Sequence, residues 1–296
     1  MKFGVREICN VVFKTAAPKQ KIGNKVIEAA RTPVIYFDTL KTSSLEQAVT
    51  TVYAQGGRGN TRLVGWDGEK TLTFTMEDAL ISPIGLSVLA GAKLYEAGTD
   101  KKIANGNTLV VHVTEVLEKG KTTVSKTVTA KEGLTPYVFA LDEHGEINGA
   151  PIAVKITGKQ IAKADGEDAV DLPANSAMLV DYYTDNAVAG SVQIDIEPEA
   201  FGGNFYIEAD TLFRDTVGAD HPAQFIIPNG KIQSNFTLTM ASSGDPSTFT
   251  FTVDAFPGYV NGDLTKKVMA AIQVIKEDSE VLKFDDAAGD IDKAQG

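Results

Sequence analysis

The residues best equipped for chemistry in this 296-residue chain are three histidines, one cysteine, a glycine-rich run and several adjacent acids. His112, His144 and His221 could ligate a metal only by converging with carboxylates. They fall in separate predicted elements, His112 on the polar face of a strand and His144 in a turn, and that separation argues against convergence. Gly56-Gly57-Arg58-Gly59-Asn60 has the glycine content of a phosphate cradle. It lacks the Gly-Lys-Ser/Thr ending of a P-loop and runs into a strand, so it reads as a flexible loop or hairpin tip. Glu77-Asp78 and Asp285-Asp286 are adjacent acids, and neighbours on a strand point to opposite faces, which makes a poor catalytic pair. Ser82 has no His or Asp partner nearby and suits a helix cap. Cys9, the single cysteine, sits in an apolar run and is expected to be a buried, inert thiol. Asn235-Phe236-Thr237 is a glycosylation sequon. The charges within Met1 to Glu7 would interrupt the apolar core of a signal peptide, so the sequon is expected to go unused and synthesis to take place in a reducing cytoplasm. Trp66, the one tryptophan, is either a packing anchor or a contact between subunits. No catalytic residue, cofactor or metal is therefore assigned.

The elements that would position these residues are mostly strands. Leu72, Phe74 and Met76 alternate with Thr71, Thr73 and Thr75. Phe236, Leu238 and Met240 alternate with Thr237 and Thr239, and Phe249, Phe251 and Val253 with Thr248, Thr250 and Thr252. Val192, Ile194 and Ile196 alternate with Gln193, Asp195 and Glu197. Period two with threonine outward describes antiparallel strands lying with one face on a core. Gly244-Asp245-Pro246-Ser247 reads as the turn of a hairpin. One helix is predicted, capped by Ser82, opened by Pro83 and ended by Gly91, with Ile84, Val88 and Leu89 on one face and the charges of Glu77 and Asp78 near its positive end. Val268, Ala270, Ile272 and Val274 alternate as a late strand. Residues 104–186 read as an inserted β-sandwich with strands at 108–117, 121–130, 135–141, 151–157 and 177–184, which leaves 1–103 and 187–296 as a discontinuous β core.

Charge narrows the function classes. The net charge of -11 opposes non-specific grip on nucleic acid, which needs clustered Lys and Arg. No apolar run approaches the roughly 18 residues of a membrane span. Residues 1–41 hold eight Lys/Arg against three acids, and residues 276–296 hold three Lys against seven acids. These ends are either solvated or meet between neighbouring subunits as arms of opposite charge.

Taken in order, GGRGN (56–60), WDGEK (66–70), TLTFTMEDALISP (71–83), VDYYTD (180–185), QFIIPNGKIQSNFTLTM (224–240) and GDPSTFTFTVDAF (244–256) resemble the tail tube proteins of large tailed bacteriophages. The likeness is best over residues 50–95 and 178–257; the middle segment is similar only to a generic immunoglobulin-like insertion. The family has no active site to carry over. The resemblance implies a mainly β, tail-tube-type sandwich or barrel subunit with one flanking helix, hexameric rings whose inner strands join into a barrel, and rings stacked into a tube. Loops such as 41–65 would reach the neighbouring ring. DNA would pass through the lumen without specific binding, kept off an acidic wall by repulsion. Tail sheath, baseplate and tape-measure proteins would be partners, and the virion tail the location. Gly56, Gly57, Arg58, Trp66, Asp285 and Asp286 are the expected inter-subunit contacts. The competing readings are another virion structural protein, such as a decoration or baseplate component, and a carbohydrate-binding or hydrolytic β-protein.

Overall fold

Alternation is the organising feature of the structure, a computed structural model that describes residues 2–5, 9–23, 25–97, 108–128, 131, 133–166, 169–235 and 248–275. The strands are β1 (Phe3–Val5), β2 (Asn10–Thr15), β3 (Gln20–Ile22), β4 (Lys25–Ile27), β5 (Pro33–Phe37), β6 (Leu40–Gly56) and β7 (Thr61–Asp78). Helix α1 (Pro83–Ala90) follows, then β8 (Lys93–Glu96), β9 (Leu109–Leu117), β10 (Thr123–Val128), β11 (Tyr137–Ala140), β12 (Ile152–Lys163) and β13 (Met178–Asn186). The chain continues with β14 (Val192–Asp195), β15 (Asn204–Asp215), β16 (Asp220–Ile232), β17 (Phe249–Ala255), β18 (Gly258–Tyr259), β19 (Lys267–Val268) and β20 (Ala271–Val274). Two compact units result, one of Met1–Leu94 with Ile194–Gly296 and one of Tyr95–Gln193.

The first unit is built on a nine-stranded antiparallel sheet in the order β5-β2-β15-β16-β17-β7-β6, with β1 added to β15 and β20 to β16. Its two edge strands, β5 and β6, are joined by Asp38 and Thr39 alone. So short a link spans little more than about 10 Å, which curls the sheet into a nearly closed barrel. The interior is aromatic. Phe13 lies 5.4 Å from Phe37, 5.6 Å from Phe205 and 6.4 Å from Phe251, and Phe37 lies 5.0 Å from Phe251. Phe74, Met76, Ile207, Ile227 and Val253 complete the core. Leu72 packs against it from a partly buried position, and the threonines between Leu72, Phe74 and Met76 lie on the other face of β7, as their alternation predicts.

Residues 1–41 are not an extendable arm. β2 lies between β5 and β15, with Phe13 opposite both Ile35 and Ile207. Val11, Phe13 and Thr15 point inward and are wholly buried. Lys14, one of the basic side chains that suggested an arm, lies on the outer face and bonds Glu208. Cys9 is buried as expected, and burial pushes its thiol up despite the nearby Ser43 and Thr211 hydroxyls.

Helix α1 begins and ends where its sequence predicts. Ser82 Oγ accepts from the Gly85 amide at 2.9 Å, Pro83 occupies the first turn, and Gly91 closes the helix in the left-handed region at φ 65°. A Cβ at Gly91 would lie 2.3 Å from the Phe201 carbonyl carbon, so the site demands glycine twice over. Val88 and Leu89 are buried, whereas Ile84 is exposed. No acid lies in its first turn, and Glu77 and Asp78 end β7 upstream of it. They are held within the sheet by threonine hydroxyls, as described below.

The late strand is β20, paired with β16. In β14, Val192 is exposed and Ile196 lies beyond the strand on the surface, so that alternation does not mark a core face. The Gly244–Ser247 turn, the run Phe236 to Met240 and the acidic segment 276–296 lie outside the described residues.

The second unit is a five-stranded antiparallel sheet in the order β10-β12-β11-β13-β9, around Leu117, Val124, Val138, Val154, Ile156, Met178, Val180 and Tyr182. β12 pairs with β11 through Ile152 and Ala153, and with β10 through Gly158 and Gln160. The bend falls at Gly158, φ 62°. It brings β10 back against β9 and β13, where side chains replace a backbone ladder. The Ser125 amide donates to Glu115 Oε1 at 2.9 Å, Tyr182 Oη donates to the same oxygen at 2.9 Å, and Thr184 Oγ1 donates to the Thr127 carbonyl at 2.7 Å. Burial first, and the Glu115 carboxylate beside it, push the Tyr182 phenol up.

Candidate assembly interface

The hairpin β6–β7 supplies the candidate site. Residues 41–65, read from the sequence as a long loop, are the whole of one strand and the start of another. Their threonines and small residues hide the alternation that Phe74 and Met76 make plain. The proximal half of the hairpin belongs to the barrel, with Leu45 opposite Phe74 and Ser43 opposite Met76. Beyond Ala48 and Thr71 it leaves the core: every residue from 61 to 70 is exposed, and most from 46 to 56 are. At about 3.3 Å per residue, this distal ribbon extends roughly 30 Å.

The glycine-rich run is its tip. Gly56 pairs with Thr61, the Asn60 amide donates to the Gly57 carbonyl at 3.1 Å, and Gly57, Gly59 and Asn60 take positive φ of 78°, 96° and 49°. Only glycine, and less readily asparagine, adopts those values without strain. Gly56, Gly57 and Arg58 therefore come together. Trp66 lies farther down β7, opposite Val52, and Asp285 and Asp286 lie outside the described residues.

Trp66 is not a packing anchor within the chain; it is 57% exposed. The ribbon has left the core there, and register decides which of its faces carries the ring. Val49 faces Lys70, yet Thr51 faces Asp67, so one extra residue enters β7 around Gly68 and Glu69. The Glu69 amide donates to Thr50 Oγ1 at 2.9 Å across this bulge. A bulge shifts the side-chain alternation by one. The face that carries Phe74 and Leu72 thus continues as Thr51–Asp67 and Tyr53–Gly65, with the Arg62 guanidinium 4.1 Å from the Tyr53 ring centroid. The opposite, threonine-lined face ends in Val52, Ala54, Val64 and Trp66. Val52 is 65% exposed and Val64 50%. Among the described residues, this apolar ribbon face is left exposed.

The two ends of the hairpin differ in charge. Residues 55–65 carry Arg58 and Arg62 and no acid. At the base, Thr248 Oγ1 and Thr42 Oγ1 donate to Glu77 at 2.5 and 3.1 Å and hold its carboxyl below the usual range. Asp78, buried, accepts from Thr39 Oγ1 at 2.5 Å and from the Leu80 amide at 3.3 Å. Asp38 is exposed beside them.

The sequence model of the YomU/Tube protein family matches residues 25–270. The chain belongs to the YomU/Tube protein family. The resemblance carried by residues 56–83 and 224–256 is thus a family relationship, and the tube-family hairpin is the element on which both its glycine-rich tip and Trp66 lie. No curated protein matches the chain at a significant level.

The histidines of this tube-family chain are used locally. His112 Nε2 lies 2.6 Å from Asp181 Oδ1, His221 Nε2 lies 3.2 Å from Asp215 Oδ2, and the His144 amide donates to Asp142 Oδ1 in a turn. Among the described residues no three His, Cys, Asp or Glu side chains converge, and no helix is long and apolar enough to cross a membrane. Asp210 is the group that sequence reasoning missed. It sits on the outer face of β15 between Asn10 and Gln224, and its Oδ1 is buried without a hydrogen bond. Burial raises its pKa; the Gln224 hydrogen bond opposes this, Glu208 adds to it and Lys14 opposes it. A folded-state pKa above the unfolded value means that the group favours folding while protonated and loses that contribution as pH rises through the folded pKa. Asp210→Asn, of equal size and always neutral, is therefore expected to raise the melting temperature at about pH 7 and to give no gain at about pH 3, where both states of the parent are protonated. Melting curves at the two pH values check this; a gain of equal size at both would remove the electrostatic explanation.

Proposed function

We propose that this chain is the subunit of a phage tail tube, which assembles with copies of itself into rings of six that stack around a channel for the genome. The observation that carries the reading is the distal ribbon of β6–β7, whose apolar face of Val52, Val64 and Trp66 is exposed among the described residues. Exposure of that kind costs solubility unless an assembly covers it, and membership of a tube family supplies the kind of assembly. The virion tail is then the site of action, DNA passes the net-acidic wall without being held, and sheath, baseplate and tape-measure proteins are the neighbours.

Trp66 reports on its own burial, because it is the only tryptophan. Purified protein concentrated into assemblies is expected to show rings or tubes by negative-stain microscopy, with a blue shift of tryptophan emission and a loss of acrylamide quenching. A chain that stays monomeric at high concentration, with emission unchanged, would sink the proposal.

We also propose that the Tyr95–Gln193 unit is an insertion dispensable for assembly. The Ala97 amide donates to the Ser191 carbonyl at 2.8 Å, so the chain enters and leaves the unit at one place. Joining Ala97 to Ser191 through two glycines is expected to leave the remaining unit folded and still able to form tubes. Circular dichroism and microscopy of that variant are the check, and a folded product that never assembles would contradict it.

A further inference from the structure

A sheet edge is kept from pairing with another chain by short length, a lysine, a proline or a break in register. Among the described residues the edges of the two large sheets carry such features, with one exception. β1 and β20 are three and four residues long, and β5 opens with Pro33. β6 is broken by three shifts of register, and β10 has a shift of its own and the exposed Lys126. The exception is β9, the outer strand of the five-stranded sheet. All nine of its residues pair with β13 without a shift, and it contains no lysine, proline or glycine. His112 and Glu115 are its only ionisable groups. Both are engaged within the unit, His112 by Asp181 and Glu115 by Tyr182 and the Ser125 amide. Val111, His112, Thr114 and Val116 are exposed, and among the described residues no hydrogen bond reaches the backbone on the free edge. Unpaired amides and carbonyls beside exposed valines invite a further strand.

We infer that this strand is β9 of a second copy, laid antiparallel about a two-fold axis through Val113. A two-fold interface must be self-complementary, and the sequence LVVHVTEVL mirrors itself at its ends. Centred on Val113, Leu109 meets Leu117, Val110 meets Val116, Val111 meets Glu115 and His112 meets Thr114. Apolar residues meet their own kind at both ends, and no like charges are opposed. Moving the axis to His112 or Thr114 leaves two residues of each strand unpaired. A slip of one residue sets inner side chains against outer ones. The contact closes on itself, so it makes dimers and nothing larger. Neighbours in a ring of six are related by a sixth of a turn, so the pairing belongs to the unassembled subunit and stands apart from the tube proposal.

The test uses the full-length chain below the concentration at which it assembles. Light scattering after gel filtration is expected to give a dimer. His112→Lys with Thr114→Lys sets lysine against lysine at both mirrored pairs and is expected to raise the dimer dissociation constant at least about tenfold. Both positions are exposed, and circular dichroism checks the fold. Val110→Cys with Val116→Cys is oxidised alongside each single variant; native Cys9 is buried and does not compete. Facing Cα atoms of an antiparallel pair lie about 4.5–5.5 Å apart, within the span of a disulfide. In each single variant the two thiols are offset by six residues along the seam, about 20 Å. The expected result is a covalent dimer from the double variant and monomer from each single one. A parent that stays monomeric at every concentration short of assembly, with no covalent dimer, would overturn the pairing and leave the tube reading standing. A covalent ladder beyond the dimer, or dimers from either single variant, would overturn it too. A dimer that forms in a chain that never assembles would support the pairing and sink the tube reading.

Discussion

Removing residues 49–70 and closing β6 onto β7 with an Asn-Gly turn is expected to abolish assembly and to leave a folded monomer. The closure is possible because Ala48 and Thr71 face each other across the hairpin, and a two-residue turn joins such a pair in a twisted antiparallel ribbon. The fold survives because the excised residues contribute nothing to the barrel core. The core ends with Phe74, Met76 and their partners, and the residues of 61–70 are all exposed. Shortening a connection also lowers its closure entropy slightly, so unfolding free energy is expected to change by less than about 1 kcal/mol. Assembly is lost because the Val52–Val64–Trp66 face goes with the ribbon, and a contact repeated around a ring multiplies the effect of each missing piece. Denaturant melts and negative-stain microscopy on the same preparation decide the matter. Tubes from the shortened chain would show that the ribbon is ornament, and a collapse of the melt would show that it belongs to the core after all.

Phe13→Ala is expected to cost about 3–5 kcal/mol of folding stability, the range for deleting a large aromatic side chain from a close-packed interior. Phe13 has no exposed surface and touches three other rings, Phe37, Phe205 and Phe251, which belong to three different strands. The cavity left by the ring cannot be filled by a local shift, because β2 is pinned on both sides, by β5 through Val11 to Lys14 and by β15 through Asn10 to Thr15. A substitution in a solvated arm would be silent, within about 0.5 kcal/mol. Denaturant titration of the purified variant therefore tests the placement of the N-terminal segment as well as the packing. An unchanged midpoint would mean that residues 10–15 are not where the structure puts them.

Much of the scaffold is legible without coordinates. The alternation of Leu72, Phe74 and Met76 with threonine, and of Phe249, Phe251 and Val253, marks inward and outward faces because strand side chains alternate strictly where pairing is regular. Ser82, Pro83 and Gly91 mark the helix because each satisfies a local backbone requirement that no distant contact can alter. Four of the five strands of the middle segment appear within a few residues of the predicted places, and the fourth, predicted at 151–157, continues to Lys163. The resemblance quoted on residues 56–83, 180–185 and 224–256 agrees with the family match, which spans residues 25–270. Charge, by contrast, misled. Eight basic residues in the first 41 suggested an arm, yet a strand with a lysine on its outer face is still a strand, and only its inward partners show that it is buried.

What the sequence determined by itself was local: many of the strands, where the predicted helix starts and stops, and that a glycine-rich run leads into a strand. These follow from φ and ψ preferences and from period-two patterning, which each short segment settles alone. The tertiary structure decided everything that depends on pairing between distant strands. It closed the sheet through the two-residue link at Asp38–Thr39, drew the basic N-terminal segment into that sheet between β5 and β15, and carried β6–β7 past the end of the core. Above all it placed Trp66. One extra residue near Gly68–Glu69 inverts the alternation, and a register slip is invisible in a single strand because it exists only relative to the partner. The tryptophan that the sequence leaves as either a packing anchor or a contact between subunits stands exposed on the threonine-lined face of the ribbon.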